Sequence, residues 1–597
     1  MLNEPMHRFK YTNLTKEQIG KQLTRNAKVP ECVSEFSNIL AGKSLKIITK
    51  DGPVLEYKFE DKNKLTLSED GGIKVKSGYG ALTLNQMVLF SHMIPEKQRG
   101  FNVYVDLDTN LVTVIEVWLS SGLKGTTMGR TEYTIDNREV QRQIYFGYID
   151  EGKETPEELH HHTNRLEGKG LYWKQDTGHE ILEYFTSVVS TNFVELTRQV
   201  DDLGYCAPAA YVLINDNMFI HDMTECEFAG IFTSYVADLY SETQAGVRLG
   251  FNEDDELEYY MFMGTGKVVG QIAYLEPFDE HGKSGSIMGA PKAKPGQEAP
   301  PPQKGQRYAY RPVRDFKYMS DEEVHEAALK STTAFGGRID APQMMGSNNS
   351  PFSDILVGKK FTLRYDHGGP VRHYEILSMD KLKYREDGES KWHEEDCRCY
   401  EADDNLAWFA HILTDSKPRA CAMVALDLTN GLTTCIHSQM GTKYFGNETS
   451  YYAMFGVAEM EGIVAPQYVR HELSNELVGH AYSWSYSDQM TSMHFYSSPH
   501  SMTWTIFTGD QTMGAQWASP CLFVKLREGV YIFCQNEEAC NGAEMCELIN
   551  TKISHDCGFN FSGNARGVNL GLTGAIGRHI GSMDVKKYFG PKARKGV

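Results

Sequence analysis

The chain has 597 residues and a formal net charge of −19. That length is too great for one hydrophobic core, so several domains are expected. The acidic balance argues against binding a phosphate backbone, which needs a basic face. No stretch forms the long apolar run of a membrane helix, the N-terminus lacks the apolar core of a signal peptide, and the 12 cysteines are scattered. We therefore expect a cytoplasmic protein with reduced thiols, and neither nucleic acid nor membrane as a partner.

Short helices are predicted at the start of each half of the chain. The first is "TKEQIGKQL" from Thr15, in an N-terminal helical segment that ends at residue 35. The second begins at Ser320, where Glu323 completes a capping-box pattern. Between the halves, residues 281–310 are rich in Gly, Pro and Lys, which predicts a linker.

The two halves repeat each other. "ILAGKSLKIITKDGPVLEYKFED" from Ile39 matches "ILVGKKFTLRYDHGGPVRHYEIL" from Ile355, and "RLEGKGLYWKQDTGHEILEYF" from Arg165 matches "ELVGHAYSWSYSDQMTSMHFY" from Glu476. Each phrase reads as an alternating strand, a polar turn and a second alternating strand, which is typical of hairpins. Short strands with little helix between them predict an all-β fold of four antiparallel β-barrels, in two doublets. The predicted domains are barrel 1 at 36–158, barrel 2 at 159–280, a helical lead-in at 311–352, barrel 3 at 353–470 and barrel 4 at 471–597.

The fourth unit places aromatic rings and imidazoles on one face of its strands. The residues that share this parity include Tyr482, Trp484, Tyr486, His494, Tyr496 and Trp504. We expect Tyr486, His494 and Glu537 to move protons, because an imidazole titrates near neutrality and a buried carboxyl group has a raised pKa. The other rings would hold a substrate. The alternative is that all of them only fill a small barrel.

The third unit is a second candidate. "VLFSHM" places His92 where "AWFAHI" places His411, and His437 stands where the first unit has Glu116. We expect His411 and His437 to be catalytic and Arg364, Tyr365 and Tyr374 to bind substrate in one cavity. A shared packing role would leave the same repeat.

The fourth unit, with "GHAYSWSYSDQMTSMHFY" and "VKLREGVYIFCQNEE", resembles the calycin-type barrel of phenolic acid decarboxylases. The doublets are more similar still to the MoaF family, which is named for molybdenum cofactor biosynthesis and has two lipocalin-like barrels. In the decarboxylases two tyrosines grip the substrate, an arginine assists and a glutamate handles the proton. The matching positions are Trp484, Tyr486, Thr505 and Glu537 in the fourth unit, and Trp173, Gln175, Val194 and Glu225 in the second. Neither unit has the full set.

The resulting hypothesis is a lyase-type enzyme without cofactor or metal: a decarboxylase, a hydratase or dehydratase, or an isomerase. Its partner would be a small aromatic, phenolic or otherwise apolar substrate inside a barrel, and the chain would be a monomer or a homodimer. The alternative is a non-catalytic binder or carrier of a small molecule, linked by the family name to molybdenum cofactor biosynthesis. In a third interpretation two of the barrels are structural.

Overall fold

The structure is a computed structural model. The described residues are 14–119, 138–186, 190–197, 204–225, 230–252, 254–272, 332–334, 348–441, 449–487, 490–508, 516–536, 543–564 and 567–590. The helix predicted from Ser320 and the side chain of Glu537 lie outside them. The chain forms two compact units, one of Arg8–Gln199 with Tyr205–Asp315 and the other of Phe316–Val597 with Met1–His7 and Val200–Gly204.

Helix α1 (Lys16–Asn26) begins at the predicted position. The Thr15 side chain accepts a hydrogen bond from the Gln18 backbone at 3.2 Å, and the Gln18 side chain accepts one from the Thr15 backbone at 2.8 Å. This reciprocal capping box fixes the start of the helix. Ile19 and Leu23, one helical turn apart, are buried in the core of the first unit.

Barrel 1 is a nine-stranded antiparallel sheet that is nearly closed. Its sheet order is β5-β4-β3-β2-β10-β9-β8-β7-β6, and the edge gap is spanned where Ser77 Oγ of β5 donates to the Met93 carbonyl of β7 at 2.6 Å. After the short strand β1 (Glu31–Cys32), its strands are β2 (Ser44–Thr49), β3 (Leu55–Phe59), β4 (Lys64–Glu69), β5 (Val75–Gly78), β6 (Gly80–Leu84), β7 (Met87–Ile94), β8 (Arg99–Asp106), β9 (Leu111–Leu119) and β10 (Val140–Ile149). A 3-10 helix, Pro95–Lys97, follows β7.

Barrel 2 has eight antiparallel strands in chain order, closed by pairing of its first and last strands. The short strand β11 (His161–His162) lies outside the barrel and pairs with β15. The strands are β12 (Lys169–Gln175), β13 (Glu180–Tyr184), β14 (Ser190–Glu195), β15 (Gly204–Leu213), β16 (Met218–Thr224), β17 (Phe232–Asp238), β18 (Thr243–Phe251) and β19 (Leu257–Ile272).

Barrel 3 is a closed eight-stranded barrel, preceded by the short strand β20 (Thr332–Ala334). Its strands alternate strictly between the barrel interior and the outside, as in β22, where Arg372, Tyr374 and Ile376 are buried. The strands are β21 (Lys360–Tyr365), β22 (Val371–Ile376), β23 (Lys381–Glu386), β24 (His393–Asp403), β25 (Leu406–Leu413), β26 (Ala420–Asp427), β27 (Leu432–Met440) and β28 (Thr449–Glu459).

Barrel 4 repeats the plan of barrel 2, with its first and last strands paired. The short strand β29 (Glu472–Leu473) pairs with β33, as β11 does with β15. The barrel strands are β30 (His480–Ser487), β31 (Met490–Phe495), β32 (Ser501–Thr508), β33 (Gln516–Arg527), β34 (Val530–Asn536), β35 (Ala543–Asn550), β36 (His555–Asn564) and β37 (Gly567–Met583). A 3-10 helix, Lys586–Tyr588, follows.

Within each unit the two barrels share an apolar core. Residues of barrel 3 such as Trp408 and Ile436 are buried with Ile532 and Phe559 of barrel 4, and barrels 1 and 2 join in the same way. Because these outward faces pack barrel against barrel, the opposite faces point into the barrels. The predicted all-β fold of four barrels in two doublets is confirmed.

Two further predictions concern the cysteines and membrane spans. Cys534 and Cys546 are cross-strand partners on β34 and β35 and are joined as a disulfide in the structure, whereas the other eight described cysteines are free thiols. Strand pairing brings the two sulfur atoms together although they are 12 residues apart in sequence. Of the described helices, none has the length and apolar content needed to cross a membrane.

Candidate functional site

Three of the barrels hold a buried hydrogen bond between a tyrosine hydroxyl and a histidine Nε2, at matching positions in barrels 1 and 3 and between the first two strands in barrel 4. The pairs are Tyr57 with His92 at 3.1 Å, Tyr374 with His411 at 3.1 Å, and Tyr486 with His494 at 3.2 Å. Burial lowers the pKa of each of these histidines to about 3. The imidazoles are therefore neutral at physiological pH, with one nitrogen that donates and one that accepts.

In barrel 3 the direction of this hydrogen bond is fixed. His411 Nδ1 lies 3.0 Å from the carbonyl oxygen of Ile412. A carbonyl only accepts, so Nδ1 carries the hydrogen and Nε2 accepts from the Tyr374 hydroxyl. The Phe-x-His repeat noticed in the sequence therefore corresponds to an inward, hydrogen-bonded imidazole in both barrel 1 and barrel 3.

Arg364 does not line the interior of barrel 3, and the structure corrects that prediction. Its side chain is exposed on the outer face and pairs with Glu459 at 2.5 Å. Tyr365 is buried, and neighbouring residues of a strand point to opposite faces, so Arg364 must face outward. The arginine inside the barrel is Arg372 on β22.

Four titratable side chains surround Arg372. Together with it they form what we name the Arg372 cluster: Tyr365, Arg372, Glu386, Cys435 and His437. The guanidinium donates from Nε to Glu386 at 2.9 Å, and its Nη1 lies 3.9 Å from the Cys435 sulfur. Burial, and then the charge of Arg372, lowers the pKa of His437 to about 3. The His437 ring lies 5.0 Å from the ring of Tyr452.

The aromatic face predicted in barrel 4 lies inside the barrel. Trp484 stacks on Tyr482 with ring centres 5.5 Å apart, and His494 lies 6.4 Å from Tyr496. Trp504 stacks on Trp517 at 4.5 Å. Tyr486, Trp484, His494 and Tyr496 are almost fully buried, so the structure brings these predicted residues together. Glu537 lies outside the described residues.

Two interior carboxyl groups of barrel 4 were missed in the sequence. Glu547 on β35 pairs with Gly558, two residues from Asp556 on β36, so the two acids are diagonal neighbours on one face. Asp556 accepts a hydrogen bond from the Ala575 backbone at 2.6 Å. Burial, and then Glu547, raises the pKa of Asp556. The signal was Glu547 at the centre of the apolar stretch "MCELI", on the face opposite to that of Glu544.

The carboxyl pair raises the pKa of Tyr486, the hydrogen-bond partner of His494. Burial raises the pKa of Tyr486 well above its ordinary value, and the charges of Glu547 and Asp556 raise it further. The tyrosine therefore stays protonated and able to donate. All four titratable groups thus belong to one electrostatic site.

Several buried polar atoms of barrel 4 have no hydrogen-bond partner among the described residues. They are His494 Nδ1, Gln535 Oε1 and Nε2, Asp556 Oδ2 and Asn560 Oδ1. Buried polar groups are nearly always hydrogen-bonded, so such a set indicates a place for a polar guest, either water or a ligand.

Barrel 2 has a charged interior, of which only Glu225 was named from the sequence. Arg248 forms ion pairs with both Glu225 and Glu258, and His179 lies 3.2 Å from Glu195. A cavity of about 470 Å³ lies beside the β12–β13 turn and is lined by groups that include His179, Glu258 and Tyr260. The position matched to the decarboxylase glutamate, Glu225, is therefore neutralised by an arginine of another strand.

Glu183 is a fully buried acid of barrel 2 with a raised pKa. Its carboxylate accepts a hydrogen bond from Tyr235. Burial raises the pKa of Glu183 to about 8, with Glu195 and Glu225 adding to the rise and the Tyr235 hydrogen bond opposing it. This acid is half protonated near pH 8.

Barrel 1 has an arginine that is fully neutralised. Arg99 pairs with Glu69 and, at 2.7 Å, with Glu116. The Glu116 carboxylate also accepts from the Tyr145 hydroxyl at 3.1 Å. In the part of the chain that the structure describes, no group of three or more His, Cys, Asp or Glu side chains is placed to hold a metal ion.

These features define a tandem protein of antiparallel barrels, nine-stranded in barrel 1 and eight-stranded in the others, with aromatic, hydrogen-bonded interiors. The MoaF N-terminal domain family matches residues 342–442, and the MoaF C-terminal domain family matches residues 471–558. These spans contain barrel 3 up to β27 and barrel 4 up to the start of β36. Residues 342–558 are therefore MoaF-like, as the sequence predicted for this doublet. No curated protein matches the chain.

Proposed function

We propose that barrel 4 is the working barrel of a cofactor-independent, lyase-type enzyme that acts on a small aromatic or phenolic substrate. The observation that carries this proposal is the buried Tyr486–His494 hydrogen bond, which shares one interior with the carboxyl pair Glu547 and Asp556. An enzyme without a cofactor can catalyse such reactions by transferring protons to and from the substrate with positioned side chains.

The carboxyl pair supplies both an acid and a base. Two carboxyl groups in one poorly solvated interior do not both ionise, since each negative charge raises the pKa of the other. Asp556, with the raised pKa, is the group that holds the proton. Glu547 then takes the part of the base, and the roles exchange when a proton has been passed through the substrate.

The remaining groups hold and orient the substrate. Trp484, Tyr482 and Tyr496 offer ring faces for an aromatic body. The unpartnered amide of Gln535 and the Nδ1 atom of His494 are hydrogen-bonding sites for a phenol or a carboxyl group. Barrel 2 is the less suitable barrel for this chemistry, because its arginine is held by two carboxylates.

The experiment uses the full chain and 4-hydroxycinnamate as the decarboxylation probe, with EDTA present and no nucleotide. Delivery of a proton to the carbon that bears the carboxylate breaks the C–C bond and releases CO2, so one proton is consumed for each molecule converted. We expect loss of the cinnamate absorbance in the wild type and at least about a hundredfold slower loss in His494→Gln.

A broader panel of phenolic acids and enones extends the same assay to hydration and isomerisation, followed by chromatography of the products. If every compound, and any molecule released from the purified protein, is recovered unchanged, the carrier hypothesis replaces the enzyme. Full turnover in His494→Gln would move the chemistry out of barrel 4.

A further inference from the structure

Arg372 of barrel 3 is a buried cation with one weakly held counter-ion. The Arg372 side chain is 3% exposed, whereas the Glu386 side chain that pairs with it is 42% exposed. A buried guanidinium is costly without an anion beside it, so the site always needs a negative partner. Glu386, at the solvent edge, can turn into water at little cost, because an exposed carboxylate is well hydrated there.

The arginine of barrel 1 gives an internal comparison. Arg99 is neutralised by two carboxylates, and one of them, Glu116, is only 2% exposed and is also bonded to Tyr145. The sequence repeat places His437 of barrel 3 at the position of Glu116. The two arginines come from different strands, β8 and β22, but among the described residues Arg372 pairs with one carboxylate where Arg99 pairs with two, and the position of the second one holds a neutral imidazole in barrel 3.

The surroundings of Arg372 are aromatic. Tyr365 and Tyr374 are buried beside it, and the Tyr452 ring lies against His437. Tyr452 and Glu386 are partly exposed, so this end of the barrel is open to solvent. Buried aromatic side chains beside a single guanidinium favour a planar, singly charged anion.

We propose that the Arg372 cluster is a binding site for a small aromatic monocarboxylate, whose anionic group replaces Glu386 on Arg372. The bidentate fit of a carboxylate to a guanidinium gives the incoming anion a geometry that the single Nε contact of Glu386 does not have. This site belongs to barrel 3 and does not depend on the chemistry proposed for barrel 4.

The test is calorimetric titration of the full chain with benzoate, with benzamide as the neutral isostere. Benzoate is expected to bind and benzamide is not. In Glu386→Gln the competing carboxylate is gone, so the benzoate Kd should fall by at least about tenfold. The matched control is Glu69→Gln in barrel 1, where Glu116 still neutralises Arg99 and the benzoate Kd should stay unchanged.

Removing Arg372 alone would leave Glu386 without its cation, so the double variant Arg372→Met with Glu386→Gln is used to keep the site uncharged. It should fold and lose the benzoate-binding step that Glu386→Gln strengthens, while any step that the wild type and the double variant share belongs to another barrel. Equal binding of benzamide at the step assigned to Arg372, an unchanged Kd in Glu386→Gln, or a double variant that keeps this step would each overturn the proposal. Glu547→Gln separates the two barrels, because it should stop turnover in barrel 4 and leave this titration as it is.

Discussion

The Tyr374 hydroxyl donates to His411 Nε2 at 3.1 Å, because His411 Nδ1–H is held by the Ile412 carbonyl at 3.0 Å. Both side chains are buried inside barrel 3. A neutral imidazole is thereby fixed in one tautomer and one orientation.

Tyr374→Phe should destabilise barrel 3, because the Nε2 acceptor of His411 is left buried without a donor. We expect a loss of about 1–3 kcal/mol in the free energy of unfolding, seen as a lower Tm by scanning calorimetry. The control is Tyr468→Phe, since Tyr468 is 87% exposed and its hydroxyl is solvated. Equal Tm values for Tyr374→Phe and the control would contradict the buried hydrogen bond.

His411 should make the protein sensitive to acid. Burial lowers its pKa from the ordinary 6.5 to about 3, so the unfolded chain binds the proton more readily. Its contribution to stability is full above about pH 6.5 and is lost as the pH falls toward 3. At pH 5 the loss is about 2 kcal/mol, since one pKa unit corresponds to about 1.4 kcal/mol.

The measurement compares Tm at pH 7.5 and pH 5 for the wild type and His411→Gln, whose side-chain oxygen replaces Nε2 as the acceptor for Tyr374. The variant should lose less stability than the wild type over this interval. Parallel pH profiles for the two proteins would show that His411 does not titrate differently in the folded state.

Glu183 of barrel 2 should make the protein less stable as the pH rises, the opposite of the effect expected for His411. Its pKa is raised from 4.5 to about 8, so the folded state prefers the protonated acid while the unfolded state ionises. Stability is therefore full below about pH 4.5 and is lost as the pH rises to 8. Glu183→Gln removes this titration and should raise the free energy of unfolding by about 3 kcal/mol at pH 7.

Calorimetry at pH 4.5 and pH 8 checks this expectation, with the gain present only at the higher pH. Glu180→Gln is the matched control from the same strand: the pKa of Glu180 is lowered by hydrogen bonds from Lys174 and Tyr172, so that variant should not gain stability at pH 8. A gain in both variants, or in neither, would argue against a protonated Glu183.

The sequence predicts which side chains point into a barrel wherever the alternation of a strand alone decides this. Trp484, Tyr486, His494 and Tyr496 share one parity and lie together inside barrel 4. The prediction that Arg364 and Tyr365 line one cavity breaks the same rule, because adjacent residues of a strand point to opposite faces. The alternation of β21 was sufficient to exclude it.

Other features depend on strand register, which a single sequence does not contain. Glu547 meets Asp556 only through the pairing of β35 with β36, and Arg248 on β18 meets Glu225, at the end of β16, across the intervening strand β17. The resemblance places the decarboxylase arginine at Val194, which is not an arginine. The interior arginine of barrel 2 is Arg248, and it comes from β18. Pairs of this kind can be predicted only when the register of the paired strands is known.

The account depends most on the carboxyl pair of barrel 4, and turnover of an aromatic acid by three variants tests it most directly. Glu547→Gln and Asp556→Asn remove the pair, while Glu183→Gln removes the buried acid of barrel 2 as a control. We expect kcat to fall by at least about a hundredfold in each of the first two and to stay unchanged in the third. Full turnover in both barrel 4 variants, or loss only in Glu183→Gln, would contradict the proposed site.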